Sequence, residues 1–242
     1  AFLRIMVPIF PHGMIAYQEP LLALALITIL WGAFLALRQS DLKKILAYSS
    51  LNHVAYCMLG IFAAAAGTLP ANLAEAPVLA VQGATLQMFA HGVTAAGLFY
   101  LVGLLETRCG TRVTNELGGL GKAMPRLAAC FFLLTLCSLG LPFLAGFAAE
   151  FLIFSGSFAL VPVFTVVAVL GLLATAIFLL TVLQKVFTGP EKASWSSLRD
   201  LSGPETATLV PLLVLVFWVG LAPDGWLSFS DLSSQLLANL LR

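Results

Sequence analysis

Charged side chains are scarce in this sequence. Asp, Glu, Lys and Arg together make up 10% of the 242 residues, whereas a soluble domain has about 25%. Apolar residues account for 60%, and the mean hydropathy is +1.02. A soluble domain of this size needs more charged residues than this on its surface. The composition therefore predicts a polytopic membrane protein embedded in a lipid bilayer.

The chain also lacks an excess of one charge and any paired-cysteine motif. The formal net charge is +1, so nothing indicates nucleic acid as a partner. Three of the four cysteines lie inside apolar runs, where a small buried hydrophobic residue is the usual role, and no CxxC pair occurs. The cysteines are Cys57, Cys109, Cys130 and Cys137. We therefore expect no metal site, disulfide or cofactor in this chain.

The sequence contains several long apolar runs. Six are long enough to cross a bilayer, at 16–37, 45–66, 78–105, 127–160, 161–187 and 206–221. Residues 1–10 resemble the tail of another membrane helix, which Pro11, His12 and Gly13 would end. Because the sequence starts at Ala1 inside that apolar run, we expect a fragment, a split gene product or an incomplete amino terminus. The predicted fold is all-α, with about six transmembrane helices plus a partial amino-terminal one, in a single membrane domain over 1–242.

The fourth run, residues 127–160, is longer than the ~20 residues that one straight crossing needs. Gly140, Pro142 and Gly146 interrupt its middle, and Glu150 is its single ionisable residue. A carboxylate at such depth costs about 3 kcal/mol or more, so its default interpretation is functional. Broken membrane helices occur where the freed backbone faces protein or water. We predict a broken helix beside a polar passage.

The basic residues predict the orientation of the chain. Most of them lie in three connections, as Arg38, Lys43, Lys44, Arg108, Arg112, Lys122, Arg126, Lys185, Lys192 and Arg199. By the positive-inside rule these connections face the cytoplasm, or the matrix of a mitochondrion. The carboxy-terminal tail, with Trp226 and Phe229, would then be an interfacial segment on the outer side.

Three ionisable residues lie well inside predicted crossings: His53, His91 and Glu150. At about 1.5 Å per residue, His53 lies ~12 Å and His91 ~21 Å from the cytoplasmic edge, so we expect groups at staggered depths through which protons can hop. Lys43 would stand at the cytoplasmic mouth. The plainer alternatives are histidines that only bond neighbouring helices, and a lysine that only sets topology.

Other polar residues carry weaker predictions. Tyr48, Ser49, Ser50, Asn52 and Gln87 either bind water along the passage or bond helix to helix. Glu106, next to Arg108, is interpreted as a surface charge.

Four motifs carry a family resemblance. They are RQSDLKKILAYSSLNHVAYCMLGIF at 38–62, LQMFAHGVTAAGLFYLVGLLETRCGTR at 86–112, LGGLGKAMPRLA at 117–128 and SLGLPFLAGFAAEFLIFSGSF at 138–158. Together they resemble the antiporter-like membrane subunits of respiratory complex I. Their order and spacing are most similar to the subunit M and chain 4 family of NADH-quinone oxidoreductase.

The resemblance implies the second half of a 14-helix fold built from two inverted five-helix repeats. Glu150 stands where that family has an acidic residue on a central polar axis, and His53 and His91 match the axial histidines. Lys43 matches the lysine of the D-L-K motif. The sequence departs from the family at Phe143 and Ala149, which replace glycines and put the backbone of the break in question.

The function implied by the resemblance is that of a non-redox, proton-translocating subunit of NADH:quinone oxidoreductase. We expect it in the bacterial plasma membrane or the mitochondrial inner membrane, against other membrane-arm subunits, with a further chain supplying the missing amino-terminal helices. No catalytic residue is expected in the chain. The alternatives are a subunit of a multisubunit sodium/proton antiporter or energy-converting hydrogenase, and a structural fragment that conducts nothing. The transported ion stays open between H⁺ and Na⁺.

Overall fold

The computed structural model describes residues 2–190, 192–195 and 197–241. This described part of the chain is helical, and its strand-like pairing is one isolated bridge between Asp41 and Val113. A π-helical turn at Phe2–Met6 comes first. The α-helices follow in the order α1 Val7–Ile9, α2 Pro11–Ala16, α3 Gln18–Leu37, α4 Leu42–Ala63, α5 Ala76–Cys109, α6 Leu120–Ala123, α7 Pro125–Ser138, α8 Ala145–Leu160, α9 Pro162–Phe187, α10 Gly203–Leu221 and α11 Asp224–Leu240.

Five helices among the described residues are long and apolar enough to cross a membrane: α3, α4, α5, α9 and α10. The shorter apolar helices α7 and α8 together form the sixth crossing, with the chain broken between them. The prediction of about six transmembrane helices with one broken helix is therefore confirmed.

The amino-terminal segment agrees with the prediction in part. The helical turns over residues 2–9 end at Phe10, directly before Pro11, but Pro11 then begins helix α2, so His12 and Gly13 lie inside a helix. Proline suits the first turn of a helix because the missing N–H would have no intrahelical partner there. Ala1 lies outside the described residues.

Helix α4 starts at a cap that also fixes its position against α5. The Asp41 carboxylate accepts hydrogen bonds from the backbone N–H groups of Lys43 and Lys44, at 2.9 and 3.2 Å. It also accepts one from Arg112 Nε at 2.6 Å, just beyond the end of α5. Helix α5 ends at Gly110, whose left-handed backbone (φ 72°) is the usual helix stop.

Helix α5 is the central element, with α4 and α8 packed on it. Its 34 residues give a length of about 50 Å, against about 30 Å for the hydrocarbon core of a bilayer. Glycines allow α8 to approach closely, since a Cβ on Gly156 would lie 2.6 Å from the backbone nitrogen of Ala80. Small residues in this position are typical of packed membrane helices.

Candidate functional site

The break between α7 and α8 makes room for the carboxylate of Glu150. Gly140 lies in the break with φ 66°, and a Cβ there would stand 2.5 Å from Glu150 Oε2. Pro142 also lies in the break and is exposed. Gly146 lies in the first turn of α8, where a side chain would collide with the Cys137 carbonyl. Gly140 is thus required both for its backbone conformation and for the space beside Glu150.

Phe143 has a backbone conformation that glycine adopts more readily than any other residue. Among the described residues it is the non-glycine residue with positive φ, at 75°. Such a conformation costs an L-residue about 1–2 kcal/mol. Its side chain is 69% exposed, and Ala149 is fully buried. Both departures from the family pattern are accommodated without closing the break.

Glu150 and His53 form a buried pair across two helices. Their exposures are 5% and 1%, and His53 Nδ1 lies 3.4 Å from Glu150 Oε1. Gln87 Nε2 of α5 lies 3.3 Å from the same Nδ1. Among the described side chains, Glu150 Oε1 and His53 Nε2 have no hydrogen-bond partner. The pair therefore has the distance of an ion pair without hydrogen-bond geometry.

His91 joins this pair from α5. Its ring stacks on that of His53, with centroids 4.9 Å apart and planes 28° apart. A cavity of about 10 Å³ adjoins both rings and is lined in part by Thr94 and Ser138, a space that suits a single water molecule.

The predicted stagger in depth between the two histidines is wrong. The rings are 4.9 Å apart, against ~9 Å expected from the rise per residue. Helix α5 continues to Cys109, beyond the length of a crossing, so Leu105 does not mark a membrane edge. The three titratable groups therefore form one compact cluster, which we call the histidine–glutamate cluster: His53, His91 and Glu150.

Lys43 lies apart from this cluster. It is 40% exposed, and its Nζ lies 2.5 Å from Glu106 Oε2. Arg112 joins the group, with its NH1 nitrogen 3.1 Å from Glu106 Oε1. From Lys43 to His53 the chain rises ~15 Å along α4. The structure thus brings together three of the four predicted site residues and leaves Lys43 in an ionic network at the basic end.

Glu106 was predicted to be a surface charge, and its side chain is 36% exposed. Arg108 lies 2.6 Å from Glu205 of α10, while Glu106 pairs with Lys43 and Arg112. The carboxylates and cations come from four separate segments, so sequence adjacency does not reveal the partners.

Asp41 belongs to the same network. Partial burial acts to raise the pKa of its carboxyl group, but the hydrogen bond from Arg112 and the backbone N–H of Lys44 act against it, and the pKa is lowered overall. The hydrogen bond to Asp41 in turn raises the pKa of Arg112.

Sequence reasoning missed a polar contact on the other side of His53. Asn52 is fully buried, and its Nδ2 donates to Thr175 Oγ1 of α9 at 2.6 Å. Tyr56 is also fully buried, with its ring 6.1 Å from that of His53. Single threonines spaced along an apolar run are ordinary in a membrane helix, so Thr175 carried no signal of its own. The recurrence of polar residues at Ser49, Asn52 and Tyr56, three or four apart, could have indicated one face of α4.

The side chains of the cluster are of types that can bind and release protons. Imidazole binds and releases protons near neutral pH, and a carboxylate lies next to one of the two rings. Within the ranges the structure describes, no three His, Cys, Asp or Glu side chains are grouped to hold a metal ion.

Similarity to known proteins agrees with the fold. The family described as "NADH:quinone oxidoreductase/Mrp antiporter, TM" matches residues 1–177. The F(420)H(2) dehydrogenase subunit M of Methanosarcina mazei is 38% identical over 214 residues, which are 88% of this chain and 41% of that protein. The NADH-quinone oxidoreductase subunit M of Escherichia coli K12 is 33% identical over 240 residues, or 98% of this chain and 44% of that protein. The chain therefore spans less than half the length of these relatives.

Solved structures show the same architecture. A chain of respiratory complex I from Thermus thermophilus superposes with a TM-score of 0.89 at 31% identity, covering 100% of this chain and 49% of that one. A chain of the Mrp complex from Dietzia sp. DQ12-45-1b gives a TM-score of 0.79 over 99% of this chain and 51% of that one. Its 19% identity shows a shared fold alone. The family match over residues 1–177 and relatives more than 30% identical along most of the sequence show that the chain belongs to the NADH:quinone oxidoreductase/Mrp antiporter transmembrane family, as an antiporter-like subunit of the complex I type.

Proposed function

We propose that this chain forms a proton-conducting half of an antiporter-like subunit in a redox-driven membrane complex. His53, His91 and Glu150 would carry the protons, and Lys43 would stand at the cytoplasmic side. The observation that carries the proposal is the buried contact of 3.4 Å between His53 and Glu150 beside the helix break.

Charge pairing gives this contact a mechanism. An ionised Glu150 is costly in a buried site unless a cation lies close to it. A proton on His53 provides that cation at 3.4 Å, so protonation of the imidazole favours proton release from the carboxyl group. Loss of the proton from His53 reverses the preference. The pair thus couples two proton-binding steps, and His91 is stacked where it can exchange a proton with His53 through one water.

The cluster favours protons over sodium ions. A metal cation such as Na⁺ needs several oxygen ligands, whereas the groups that face each other are imidazoles and one carboxylate. A sodium/proton antiporter, the alternative that the fold shared with the Mrp complex allows, would need its sodium ligands elsewhere in the subunit. A subunit of an energy-converting hydrogenase and a structural fragment that conducts nothing also stay open.

The redox chemistry would belong to other subunits. One relative is named as a subunit of an F(420)H(2) dehydrogenase and another as a subunit of an NADH-quinone oxidoreductase. We infer that this chain works in such a complex, in a bacterial plasma membrane or a mitochondrial inner membrane. The remaining helices of the subunit would complete the pathway, either in a longer polypeptide or in a second chain.

The test is Glu150→Gln and His91→Ala in the complete complex, with proton uptake measured against substrate oxidation. We expect each variant to lower the protons moved per substrate oxidised. Glu19→Gln, at an exposed glutamate in the first turn of α3, is the matched control and should match the wild type. Undiminished pumping by Glu150→Gln would refute the site assignment, and sodium-dependent transport would favour the antiporter alternative.

A further inference from the structure

A cavity lies at the basic end of the molecule between α4 and α9. Its volume is about 90 Å³, which is room for several water molecules. Polar groups at its rim come from three separate segments, with the apolar side chains of Ile45 and Phe178 beside them. The polar residues that line it are Gln39, Thr114, Thr181 and Lys185.

From this cavity a seam of residues runs along α4 and α9 to the histidine–glutamate cluster. On α4 the positions three or four apart share one face, and the same holds on α9. The α4 residues of the seam are Ile45, Ser49, Asn52 and Tyr56, and those of α9 are Gly171, Thr175, Phe178 and Val182. All eight are buried. Two helices that otherwise expose apolar surface thus place hydroxyl and amide groups on the face between them.

Asn52 and Thr175 join the two sides of the seam. The Asn52 amide donates to Thr175 Oγ1 at 2.6 Å and to the Gly171 carbonyl at 3.4 Å. The absence of a side chain at Gly171 makes room for the Tyr56 hydroxyl, because a Cβ on Gly171 would lie 2.6 Å from that oxygen. Asn52, Tyr56 and Thr175 together form the polar section of the seam, which lies beside His53.

In the part of the chain that the structure describes, three buried polar atoms in or beside this section are unpaired. Among the described residues, Asn52 Oδ1, the Tyr56 hydroxyl and His53 Nε2 have no hydrogen-bond partner. Burying such a group without a partner costs about 1–3 kcal/mol, and buried water is its usual partner in proteins. The three atoms are therefore suited to orient water molecules next to the imidazole.

Lys43 lies on another face of α4. It is nine residues from Asn52, which is two and a half turns, so the two side chains point in opposite directions. Lys43 faces Glu106 of α5, and the seam faces α9. The ionic network at the basic end and the polar seam are therefore separate surfaces of the same helix.

We propose that protons reach the histidine–glutamate cluster from the basic side through this α4–α9 seam, and not past Lys43. Water oriented by Asn52 and Thr175 passes a proton to the Tyr56 hydroxyl, which gives up its own proton towards His53 Nε2 as it accepts another. Each oxygen that gives up a proton takes one from the water behind it, and the excess proton enters the chain from the cavity. The last proton forms an N–H bond at His53 Nε2, so no charge is left on Tyr56 or on the water. Asn52 and Thr175 are positioning residues. The inference rests on the proposed function for its end point.

Phe178 separates the cavity from the polar section. It is buried one turn from Thr175 and touches the cavity on its other side. Phe178 and Ile45 form an apolar stretch between the cavity and the polar section. A chain of water molecules can cross this stretch only when the phenyl ring of Phe178 moves aside, so Phe178 acts as the gate of the seam.

The first test is Thr175→Val in the complete complex, with proton uptake measured against substrate oxidation. We expect at least a fivefold loss of proton translocation, and rescue by Thr175→Ser, which keeps the hydroxyl. Thr28→Val is the matched control, because Thr28 also bonds the carbonyl four residues before it but lies on an exposed face of α3. A Thr175→Val variant that pumps protons as well as the wild type would refute the proposal that protons pass through the seam.

The second test reads water access directly. In a background whose native cysteines are replaced by alanine, Val182→Cys, which lines the cavity, should react with a membrane-impermeant thiol reagent added on the basic side. Thr175→Cys should react slowly, and more than tenfold faster when Phe178→Ala opens the gate. Leu173→Cys, on the exposed apolar face of α9, should stay unlabelled.

The two proposals fail in different ways. If Glu150→Gln abolishes pumping while Thr175→Val leaves it intact, the seam is wrong and the proposed function stands. If Glu150→Gln pumps normally, the proposed function is wrong, and the labelling of Thr175→Cys still decides whether water enters the seam. Absence of labelling at Thr175→Cys with Phe178→Ala would overturn the seam.

Discussion

At the scale of single residues, Asp41 has two roles in one carboxylate. One oxygen caps α4, through the N–H groups of Lys43 and Lys44, and the other binds Arg112. These contacts make the ionised form the stable one in the folded chain, which is why the pKa of Asp41 is lowered.

The lowered pKa predicts how stability depends on pH. The unfolded carboxyl titrates near pH ~3.9, so the contribution of Asp41 is fully present above that value and is lost as the pH falls through the lower folded pKa. Asp41→Asn should therefore be less stable than the wild type at neutral pH and equal to it at acidic pH. Asp41→Ala also loses the cap and should cost about 1 kcal/mol more. Thermal unfolding in detergent across this pH range measures both, and a difference independent of pH would contradict the charge pairing.

Phe143 provides a second prediction at this scale. Its positive φ costs about 1–2 kcal/mol, which glycine would relieve at an entropic cost of about 0.5–1 kcal/mol. Phe143→Gly should thus stabilise the chain by up to ~1 kcal/mol. Phe147→Gly, in α8, is the control and should destabilise by about 1 kcal/mol. The measurement is the midpoint of unfolding of each variant compared with the wild type. A lower midpoint for Phe143→Gly would mean that packing of the phenyl ring stabilises the chain more than its backbone conformation costs.

At the scale of helices, α7 is capped by a distant residue. The Asp200 carboxylate accepts hydrogen bonds from the backbone N–H groups of Arg126 and Leu127, at 2.8 and 3.1 Å. The first N–H groups of a helix have no intrahelical partner, and a negative charge there is favourable. The connection between α9 and α10 therefore holds the start of the broken helix.

This cap predicts the effect of removing Asp200. Asp200→Ala should destabilise the chain by about 1 kcal/mol, whereas Asp200→Asn keeps an acceptor and should cost less. Hydrogen exchange of the α7 amides should rise more than that of α9. Uniform exchange across both helices would show that Asp200 does not act on α7 in particular.

The helices themselves were largely predictable because each crossing needs a continuous apolar run. The expected runs 16–37 and 161–187 correspond to helices Gln18–Leu37 and Pro162–Phe187. The break at Gly140 and Pro142 was also predictable, because these residues interrupt helices. Pro11 follows the end of one helical stretch and begins the next, and only the backbone shows that the chain is helical again at His12 and Gly13.

At the scale of the whole molecule, the outer surface is apolar in the way a bilayer requires. Trp31 on α3 and Trp218 on α10 are each about 60% exposed, while Trp195 lies buried in the connection on the basic side. Exposed rings on membrane-spanning helices face lipid or a neighbouring subunit.

This surface predicts fluorescence quenching in vesicles that contain brominated lipid. In single-tryptophan variants of the reconstituted chain, Trp31 and Trp218 should be quenched strongly and Trp195 weakly. Quenching of all three to the same degree would contradict the fold. A selective loss of quenching at Trp31 in the complete complex would identify α3 as a contact with a neighbouring subunit.

The sequence by itself determined the membrane class, the number of crossings and the position of the break. The tertiary structure alone decided which side chains meet: His53 with Glu150, Lys43 with Glu106, and Asn52 with Thr175, the last pair 123 residues apart. The physical reason is that these helices are apolar on all sides, so hydropathy does not reveal which face points inward. Their rotation and axial offset are set by close packing at glycines such as Gly83 and Gly156, and that packing exists only in the folded chain.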